Sequence, residues 1–524
     1  MKPRHHIAVW GFFFCVYMLS TSREPPWNDA SLIYHTAGSI VLRGDLGIPT
    51  SQPNVFTYAP HPIMAPLSQV PGFMIYQWVI ARWMDAWAMA KVLTTHLGPA
   101  FFGALTCSLF LSACLRLGIR IRVASLCTLV VGLCTSVWVY ARSPYSEIVQ
   151  AATYMGYIGA LIAFWHSPRK ATALRVGFWA ALLVNSKIIF VLSLPGGLAI
   201  CAYRMRRHLK SFGWLLPWAL TPLAAAAGVI MLHSQARTGV ATSSGYAVTP
   251  EIFAQPFWEG AYGLLASPGR SLFLYSPPVI LSPLATKWAF ANRRFLLVML
   301  ALCSIPVFCV YAKFEAWSGD WGWGPRYMLP FLAPMFLPGA LWVDHIWGAA
   351  SKASRTPLRW AIAGLCVVGL IVQLLGNAFY WDHFIRISQE ARNGWLGNPN
   401  RIGSKGVPRP TSCDPCFEDY YPFEWLPAFQ QIEGHWWLLK TVPLHKSWIE
   451  ATMTAPWTHY TSMQIPIPRS YPQARIDWWP IQFGKKFKTA TALIIATLSM
   501  FGLACALIWR RRCAAVGREV DMQN

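Results

Sequence analysis

Residues 22–30 read SREPPWNDA, and they follow directly on the first apolar run of the chain, residues 6–22. Two adjacent prolines in this stretch end the helix that the apolar run predicts, because proline has no backbone N–H to donate. The tryptophan after them is typical of a residue that anchors a helix end at an interface. Asn28 or Asp29 then caps a second helix, ASLIYHTAGSIVLR, which stops at Gly44.

Apolar runs of this kind recur along the whole sequence. Of the 524 residues, 55% are hydrophobic and only 12% are charged, whereas soluble domains carry about a quarter of charged residues. A helix needs roughly 20 apolar residues to cross a bilayer. We therefore predict an all-α membrane protein with about twelve spans of near that length. They are residues 6–22, 92–116, 123–141, 148–166, 174–185, 188–203, 213–232, 272–288, 295–313, 326–346, 360–380 and 487–509.

The formal net charge of +23 is explained by topology rather than by nucleic-acid binding. The basic residues concentrate in short connections such as 116–122, 169–175, 204–210 and 287–294, which contain no Asp or Glu. Short basic connections of membrane proteins stay in the cytoplasm. This rule places both termini inside.

The segments between the basic connections are then outside. The first, residues 23–91, contains a Trp-rich apolar stretch, 71–90, typical of a helix lying in the membrane interface. The last, 381–486, is rich in Trp, Pro and Tyr and predicts a small outer domain. We therefore divide the chain into a membrane region, 1–380, this outer domain, and a final span with a basic tail, 487–524.

The 21 acidic residues follow the same geography. All except Asp344, Glu519 and Asp521 fall outside by this topology, and none lies at the middle of a span. Ion-coupled transporters normally place ionisable groups near the middle of the membrane. The pattern counts against such a transporter and favours chemistry on the outer face.

Most of the thirteen cysteines lie in apolar spans, where a thiol packs as a small apolar group. Cys413 and Cys416, in SCDPC, are the exception. An oxidising compartment favours a local disulfide between them, with a free thiol pair or half of a metal site as the alternatives.

Asp29 is the first candidate for catalysis. Capping a helix does not require a carboxylate, because asparagine or serine would serve as well. A carboxylate is required when a hydroxyl must lose its proton during attack on carbon. Helix capping alone remains the alternative.

Several short stretches carry a family resemblance. They are the order Asp29, Tyr34, Ala37 and Gly44 after the first span, SPYSE at 143–147, GLLASPGRSLFLYSPPVIL at 263–281, and WSGDWGWGPRYMLPFLAP at 317–334. Together with the architecture, they resemble the polyprenyl-phosphate-sugar glycosyltransferases of the GT-C fold. That superfamily includes protein O-mannosyltransferases and the lipid A aminoarabinose transferase.

The resemblance implies roles for two acidic residues. Asp29 matches the aspartate that takes the proton from the acceptor. Glu147 matches an acidic position that orients the acceptor or, in metal-dependent members, helps to hold a divalent cation. The alternative for Glu147 is the start of a helix, where an acid favours the positive helix end. Glu24 competes with Asp29, but the neighbouring arginine favours a surface ion pair.

The donor implied by the resemblance is a sugar on a polyprenyl phosphate, which requires cations on the outer face. Arg326 is the leading candidate, with Lys187 and Arg270 at comparable helix edges. Tyr327, with Trp321 and Trp323 of the same segment, is expected to stack on the sugar, and Tyr34 is expected to contact substrate. Snorkelling and an aromatic belt are the alternatives. His435, beside two tryptophans, is interpreted as packed.

The sequence thus predicts an inverting single displacement onto a periplasmic glycan, lipid or protein acceptor, with the site on the periplasmic side. A good leaving group removes the need for a nucleotide site, and no glycine-rich phosphate loop appears. The partners expected are the lipid-linked donor, the acceptor and membrane lipids, with no nucleic acid. A transporter of lipids or lipid-linked glycans and a non-catalytic membrane scaffold are the rival interpretations.

Overall fold

The computed structural model describes residues 3–22, 29–50, 52, 55–80, 93–243, 250–319, 322–348, 356–381, 383–385, 387, 425, 427–442, 454–456, 477, 498–499, 501–502 and 506. Most of the predicted outer domain and of the last predicted span lies outside these residues. So do Glu24, Trp321, Cys413 and Cys416, and the predictions for them remain predictions.

The described part is almost entirely helical. Its helices are α1 (Pro3–Leu19), α2 (Asp29–Arg43), α3 (Met64–Met74), α4 (Leu97–Arg116), α5 (Ile121–Leu133), α6 (Val137–Tyr140), α7 (Ser146–His166), α8 (Lys170–Ser186), α9 (Leu194–Arg204), α10 (Leu209–Thr238), α11 (Phe257–Ala266), α12 (Leu272–Tyr275), α13 (Leu281–Lys313), α14 (Leu329–Gly348), α15 (Thr356–Ala378) and α16 (Gln431–Thr441). Short 3-10 turns precede α9, α11, α13, α14 and α16. The two strands are β1 (Gly47–Pro49) and β2 (Phe56–Tyr58).

Six helical segments of the described chain are long and apolar enough to cross a membrane. They are Leu93–Arg116, Ser146–His166, Leu209–Thr238, Pro277–Lys313, Arg326–Gly348 and Thr356–Ala378. Shorter apolar helices are His6–Leu19, Ile121–Leu133 and Ile188–Arg204. The predicted all-α, multi-pass architecture is confirmed, whereas the count of twelve spans is not.

The differences from the predicted spans have local causes. The span predicted at 123–141 is broken after α5, where the backbone N–H of Ser136 donates to Oγ of Ser276, outside the helix, at 3.1 Å. The spans predicted at 272–288 and 295–313 are separated within α13 by a kink at Arg293, whose φ of −143° and ψ of 43° are not helical. The break predicted near Lys187 is confirmed, because α8 ends at Ser186 and Lys187 has extended backbone.

Helix α7 forms the centre of the bundle. Nearly all of its side chains are buried, including large ones such as Tyr154 and Tyr157, and it packs against α4, α8 and α14. Helix α10, by contrast, buries little more than Ala226 and Ser234, as expected of a helix that faces lipid. The first residues of α7 therefore reach one end of the bundle from its core, and Glu147 is among them.

A small hairpin follows α2. Gly44 ends the helix with a positive φ of 74°, and β1 then pairs antiparallel with β2 in the register Gly47↔Tyr58. An exposed ion pair between Arg43 and Asp45 closes the turn, with Nη2 to Oδ1 at 2.8 Å. The sequence had not predicted these strands. The hairpin leads the chain to His61, which lies beside Asp29.

A fully buried ion pair ties the predicted outer domain to the membrane region. Arg142 and Asp477 are each 1% exposed and pair through Nη2 and Oδ2. Asp477 also accepts a hydrogen bond from Ser22 Oγ at 2.9 Å, and Arg142 donates to the carbonyl of Asn377 at 2.6 Å. The Asp477 carboxylate therefore links the end of the first span, at Ser22, to the loop before α7, at Arg142.

Removing one partner of this pair is expected to destabilise the protein. Asp477→Asn leaves the Arg142 guanidinium buried without a counter-charge, a loss of about 3–5 kcal/mol for buried pairs. We expect a clear fall in the thermal unfolding temperature of the purified protein. The double variant Arg142→Met/Asp477→Leu is expected to recover much of the loss, because replacing both charges avoids the unpaired ion. An Asp477→Asn protein as stable as wild type would contradict this prediction.

Candidate functional site

The site begins with an ion pair between the first and the last of the four sequence motifs. Asp29 is the first residue of α2, and Arg326 opens the 3-10 turn before α14. The Nη1 of Arg326 donates to Oδ2 of Asp29 at 3.2 Å. One third of the Asp29 side chain is exposed, whereas Arg326 is 8% exposed. The Asp29 carboxylate is therefore partly accessible from outside, whereas the Arg326 guanidinium is buried in the protein.

Arg326 also faces a second carboxylate. Its Nε lies 3.8 Å from Oε1 of Glu147, which is 4% exposed. Glu147 stands in the first turn of α7 and accepts a hydrogen bond from Ser146 Oγ at 3.3 Å. The Arg326 guanidinium thus lies between Asp29 and Glu147. Its faces contact aromatic rings, with the Tyr145 centroid at 5.5 Å.

A second cation lies beside this cluster. Lys187 occupies the break between α8 and the following 3-10 turn. Its Nζ lies 4.5 Å from the ring centroid of Tyr327 and 5.3 Å from that of Tyr311. These two rings stack face to face at 4.8 Å. Tyr327 therefore carries Lys187 on its ring and is nearly closed to solvent, so aromatic support of the lysine is the role its geometry favours.

The turn before Arg326 is shaped by glycines. Gly319 has φ of 77°, a conformation that only glycine adopts without strain. A Cβ on Gly319 would lie 2.5 Å from Cγ of Arg326. The arginine side chain is therefore packed directly on the glycine backbone.

Arg270 holds the same turn from inside the protein. It is fully buried, and its Nη1 donates to the carbonyl of Gly322 at 2.5 Å and to that of Gly324 at 3.3 Å. Gln431 of α16 joins this network through Oε1, 3.3 Å from the same nitrogen. These contacts favour a positioning role for Arg270 over the direct phosphate contact that the sequence suggested.

Gly319→Ala is expected to disorder the Arg326 contact without unfolding the protein. The new methyl group would displace the arginine side chain, and the positive φ adds about 1 kcal/mol of strain. We expect activity at this site to fall at least tenfold, the size of one misplaced charge-assisted hydrogen bond. The measurement is donor turnover at equal thermal stability. Gly364→Ala is the matched control, since nothing lies within 4 Å of its Cβ position, and a loss of similar size there would contradict the prediction.

His61 completes the cluster and was missed at the sequence level. Its Nε2 lies 3.7 Å from Oδ1 of Asp29, and this buried nitrogen makes no hydrogen bond to the described residues. The hairpin β1–β2 brings it there from 32 positions along the chain, so spacing gave no signal. The only hint in the sequence was the position of His61 between two prolines, in APHP at 59–62, within the same outer segment as Asp29.

The charges of this cluster shift three pKa values. Burial raises the pKa of Asp29, but the positive charge of Arg326, supported by His61, Lys187 and a hydrogen bond from Arg326, outweighs it and keeps the pKa below its usual value. Burial lowers the pKa of His61 despite the attraction of Asp29 and Glu147. Burial likewise lowers the pKa of Lys187. At neutral pH, Asp29 is therefore ionised and the His61 contact is not an ion pair.

The remaining predicted residues lie in the packing around the site. Tyr34 is buried against Phe73 of α3, at 5.4 Å between ring centroids, and burial raises its pKa to about 12. Trp323 is fully buried between Tyr275 and His435, so it cannot stack on a sugar in this arrangement. His435 is packed as predicted, with Nδ1 2.9 Å from the carbonyl of Leu375.

The geometry does not favour a divalent cation at this site. The position between the two carboxylates, where a metal would bind, is taken by the guanidinium of Arg326. The described residues contain no group of three or more His, Cys, Asp or Glu side chains arranged to hold a metal ion.

Fold and site together define a multi-pass α-helical membrane protein with a charged cluster at one end of its helix bundle. No protein-family model matches the chain, and no curated protein matches it. Similar solved structures include ArnT and AglB. ArnT from Cupriavidus metallidurans bound to undecaprenyl phosphate has a TM-score of 0.46 and 14% identity, over 77% of this chain and 80% of that chain. Archaeal oligosaccharyltransferase AglB from Archaeoglobus fulgidus, in complex with an inhibitory peptide and a dolichol-phosphate, has a TM-score of 0.42 and 12% identity, over 75% and 58%. Likeness at this level does not identify the family of the chain.

Proposed function

We propose that this protein is an integral-membrane glycosyltransferase that moves a sugar from a polyprenyl phosphate to an acceptor on the outer side of the membrane. The observation that carries the proposal is the contact between the partly exposed Asp29 carboxylate and the Arg326 guanidinium at 3.2 Å. A transfer of this kind needs a base for the acceptor and a cation for the departing phosphate. The two groups supply both within one cluster.

The reaction is a single displacement. The acceptor oxygen forms a bond to the anomeric carbon of the sugar while the bond from that carbon to the phosphate oxygen breaks. The electron pair of the broken bond stays on the phosphate, and the acceptor proton passes to Asp29. Attack opposite the leaving group inverts the anomeric configuration. A phosphate ester is already a good leaving group, so the enzyme needs to supply only position, a base and positive charge.

Arg326 and Lys187 are the groups that would receive the phosphate. A guanidinium offers paired donors that match phosphate oxygens, and an ammonium adds a point charge. In the structure, Arg326 lies between Asp29 and Glu147. A bound phosphate competes with both carboxylates for it, and the displaced Asp29 becomes a better base because it loses the contact that lowers its pKa.

Glu147, His61 and Arg270 have supporting roles in this proposal. Glu147 holds the Nε side of Arg326 and so aligns its other edge with Asp29. His61, neutral at neutral pH, stands at the second Asp29 oxygen, where it can receive or donate a hydrogen bond. Arg270 fixes the glycine turn. None of these three needs to contact the sugar.

The location of the site supports an outer-face reaction. Glu147 and Lys187 stand at the ends of helices whose other ends carry His166 and Lys170, respectively. The basic connections at 166–175 favour the cytoplasm for that end. The cluster then faces the periplasm of a bacterial inner membrane.

The test is release of lipid phosphate from a panel of polyprenyl-phosphate sugars by the purified wild-type protein, with membrane-derived acceptors present. Sugar-dependent release, with the sugar found on an acceptor, is the expected result and names the donor. A folded protein that releases nothing from a broad panel, but moves labelled lipid across a vesicle membrane, would favour the transporter and overturn the proposal. The acceptor class is read from the labelled product.

A further inference from the structure

A second feature lies at the end of the bundle opposite the Asp29 cluster. This basic end is defined by Arg116, His166, Arg204, Arg293 and Arg294, which are exposed there. Helix α7 runs from Ser146 at the site to His166 at the basic end, a length of about 30 Å at 1.5 Å per residue. Nothing at the basic end therefore takes part in the chemistry proposed above.

Between α9 and the second half of α13 lies a cavity of about 390 Å³, lined at this end of the bundle by Trp165, Tyr203 and Arg294. The two helices touch at Gly196, where an added Cβ would lie 2.4 Å from the carbonyl oxygen of Leu302. From this contact toward the basic end, apolar side chains including Ile200 and Val298 line the cavity. The contact closes the cavity at its deep end.

Aromatic rings and arginines form the open end. Trp165 stacks on Phe295 with centroids 4.8 Å apart and planes at 7°, and on Tyr203 at 6.3 Å and 11°. Arg204 donates from Nε to the carbonyl of Trp165 at 2.7 Å, which fixes its guanidinium beside the rings. Arg294 lines the cavity itself.

The charge at this end of the bundle is predominantly positive, and Asp344 of α14 is paired there with Arg120, Oδ1 to Nε at 2.9 Å. The positive charges of Arg293, Arg116 and Arg204 all act on His166, the last residue of α7. The connections that form this end, residues 116–122, 166–175, 204–210 and 287–294, contain no Asp or Glu. An anion at the opening would therefore be attracted from several sides.

We propose that this cavity binds one anionic phospholipid of the cytoplasmic leaflet. Its phosphate lies at Arg204 and Arg294, and one acyl chain follows the apolar wall toward Gly196. A soluble anion would satisfy the arginines but would leave the apolar wall without a function. A zwitterionic lipid would fill the wall, but its cationic group would face several arginines. The charge and the apolar wall together select an anionic lipid.

Native mass spectrometry of the purified full-length protein tests the proposal. The protein is offered equal amounts of phosphatidylglycerol and phosphatidylcholine with the same acyl chains. We expect phosphatidylglycerol to be retained preferentially, and Arg294→Ala to reduce its retention about tenfold, the size of one lost charge-assisted hydrogen bond. Val298→Trp should reduce retention by blocking the wall while every charge is kept.

Arg122→Ala is the matched control, because Arg122 is an exposed arginine at the start of α5 and does not line the cavity. Its retention of phosphatidylglycerol should equal that of wild type. Equal binding of the two lipids, or an equal loss in Arg122→Ala and Arg294→Ala, would overturn the proposal and indicate general attraction to a basic surface. A loss in Arg294→Ala with none in Val298→Trp would also overturn it, because it would indicate a headgroup or free-phosphate site without a chain. Turnover of the lipid-linked donor should be unchanged in Val298→Trp, so this test and that of the glycosyltransferase proposal fail independently.

Discussion

Asp29→Asn is expected to lower the rate of sugar transfer by about a thousandfold, within the range found for removing a general base. The amide has nearly the same shape as the carboxylate and can still cap α2. It cannot take a proton from the acceptor, however. Because a third of the Asp29 side chain is exposed, the substitution should change thermal stability little. The loss should appear in kcat, with donor affinity preserved or improved, since Arg326 no longer has Asp29 as a competing partner.

The chain contains its own control for this variant. Asp45 follows α2 on the same side of the protein and forms an exposed ion pair with Arg43. Asp45→Asn removes one negative charge from the same segment without touching the site. We expect it to keep wild-type activity, and single-turnover transfer from the labelled donor is the measurement. Full activity of Asp29→Asn at equal folding would refute the assignment of the base, and equal losses in both variants would point to a structural effect of the segment.

Arg326→Ala is expected to reduce transfer by about a hundredfold to a thousandfold, the loss measured when one preorganised charge-stabilising donor is removed from an active site. The phosphate loses its paired donors, so the loss should appear in both donor affinity and kcat. Arg326→Lys should recover only part of the activity, because an ammonium cannot reproduce the fork geometry. Arg43→Ala is the matched control, since it breaks an arginine–carboxylate pair that is 33% exposed on the arginine side.

The pH dependence of Arg326→Ala separates its two effects. Among the causes that lower the pKa of Asp29, the charge of Arg326 is the largest. Removing that charge raises the pKa of the carboxyl group, and a base works only when unprotonated. The acidic limb of the profile of kcat/KM against pH should therefore move to higher pH. A profile that keeps its wild-type acidic limb would show that Arg326 does not act on the catalytic base.

Asp29 and Arg326 act on each other, so their substitutions should not add. If Arg326 serves mainly to hold Asp29 in place, the double variant Asp29→Asn/Arg326→Ala should be no slower than Asp29→Asn alone. If Arg326 serves the phosphate directly, a further loss remains in the double variant. The double-mutant cycle measures this difference.

The sequence predicted the ends of several helices correctly because backbone chemistry determines them locally. Helix α2 begins at Asp29 and ends before Gly44, as capping rules require. The break at Lys187 was also visible, because two basic flanks demand that the chain cross and return. The kink at Arg293 lies where the sequence predicted a basic connection, because the arginine pair there interrupts the apolar run.

Among the site residues, the sequence singled out Asp29, Glu147, Lys187 and Arg326, and the structure brings all four into one cluster. It could not separate Arg270 from Arg326, because both are arginines next to glycines at a helix edge. Their hydrogen bonds distinguish them, because Arg270 donates to the carbonyls of the turn, whereas Arg326 faces carboxylates. Burial, which spacing does not encode, decides the difference.

By itself, then, the sequence determined the membrane class, the helical architecture and the end of the bundle at which the charged cluster lies. The length of apolar runs and the position of charges can be read along the chain without knowledge of tertiary contacts. The tertiary structure alone decided that His61 reaches Asp29, that Arg142 pairs with Asp477 across 335 positions, and that Gly319 supports Arg326. These contacts join residues distant in the chain through packing. The free energy of each contact depends on which side chains are buried against each other, and the packing of the helices decides this.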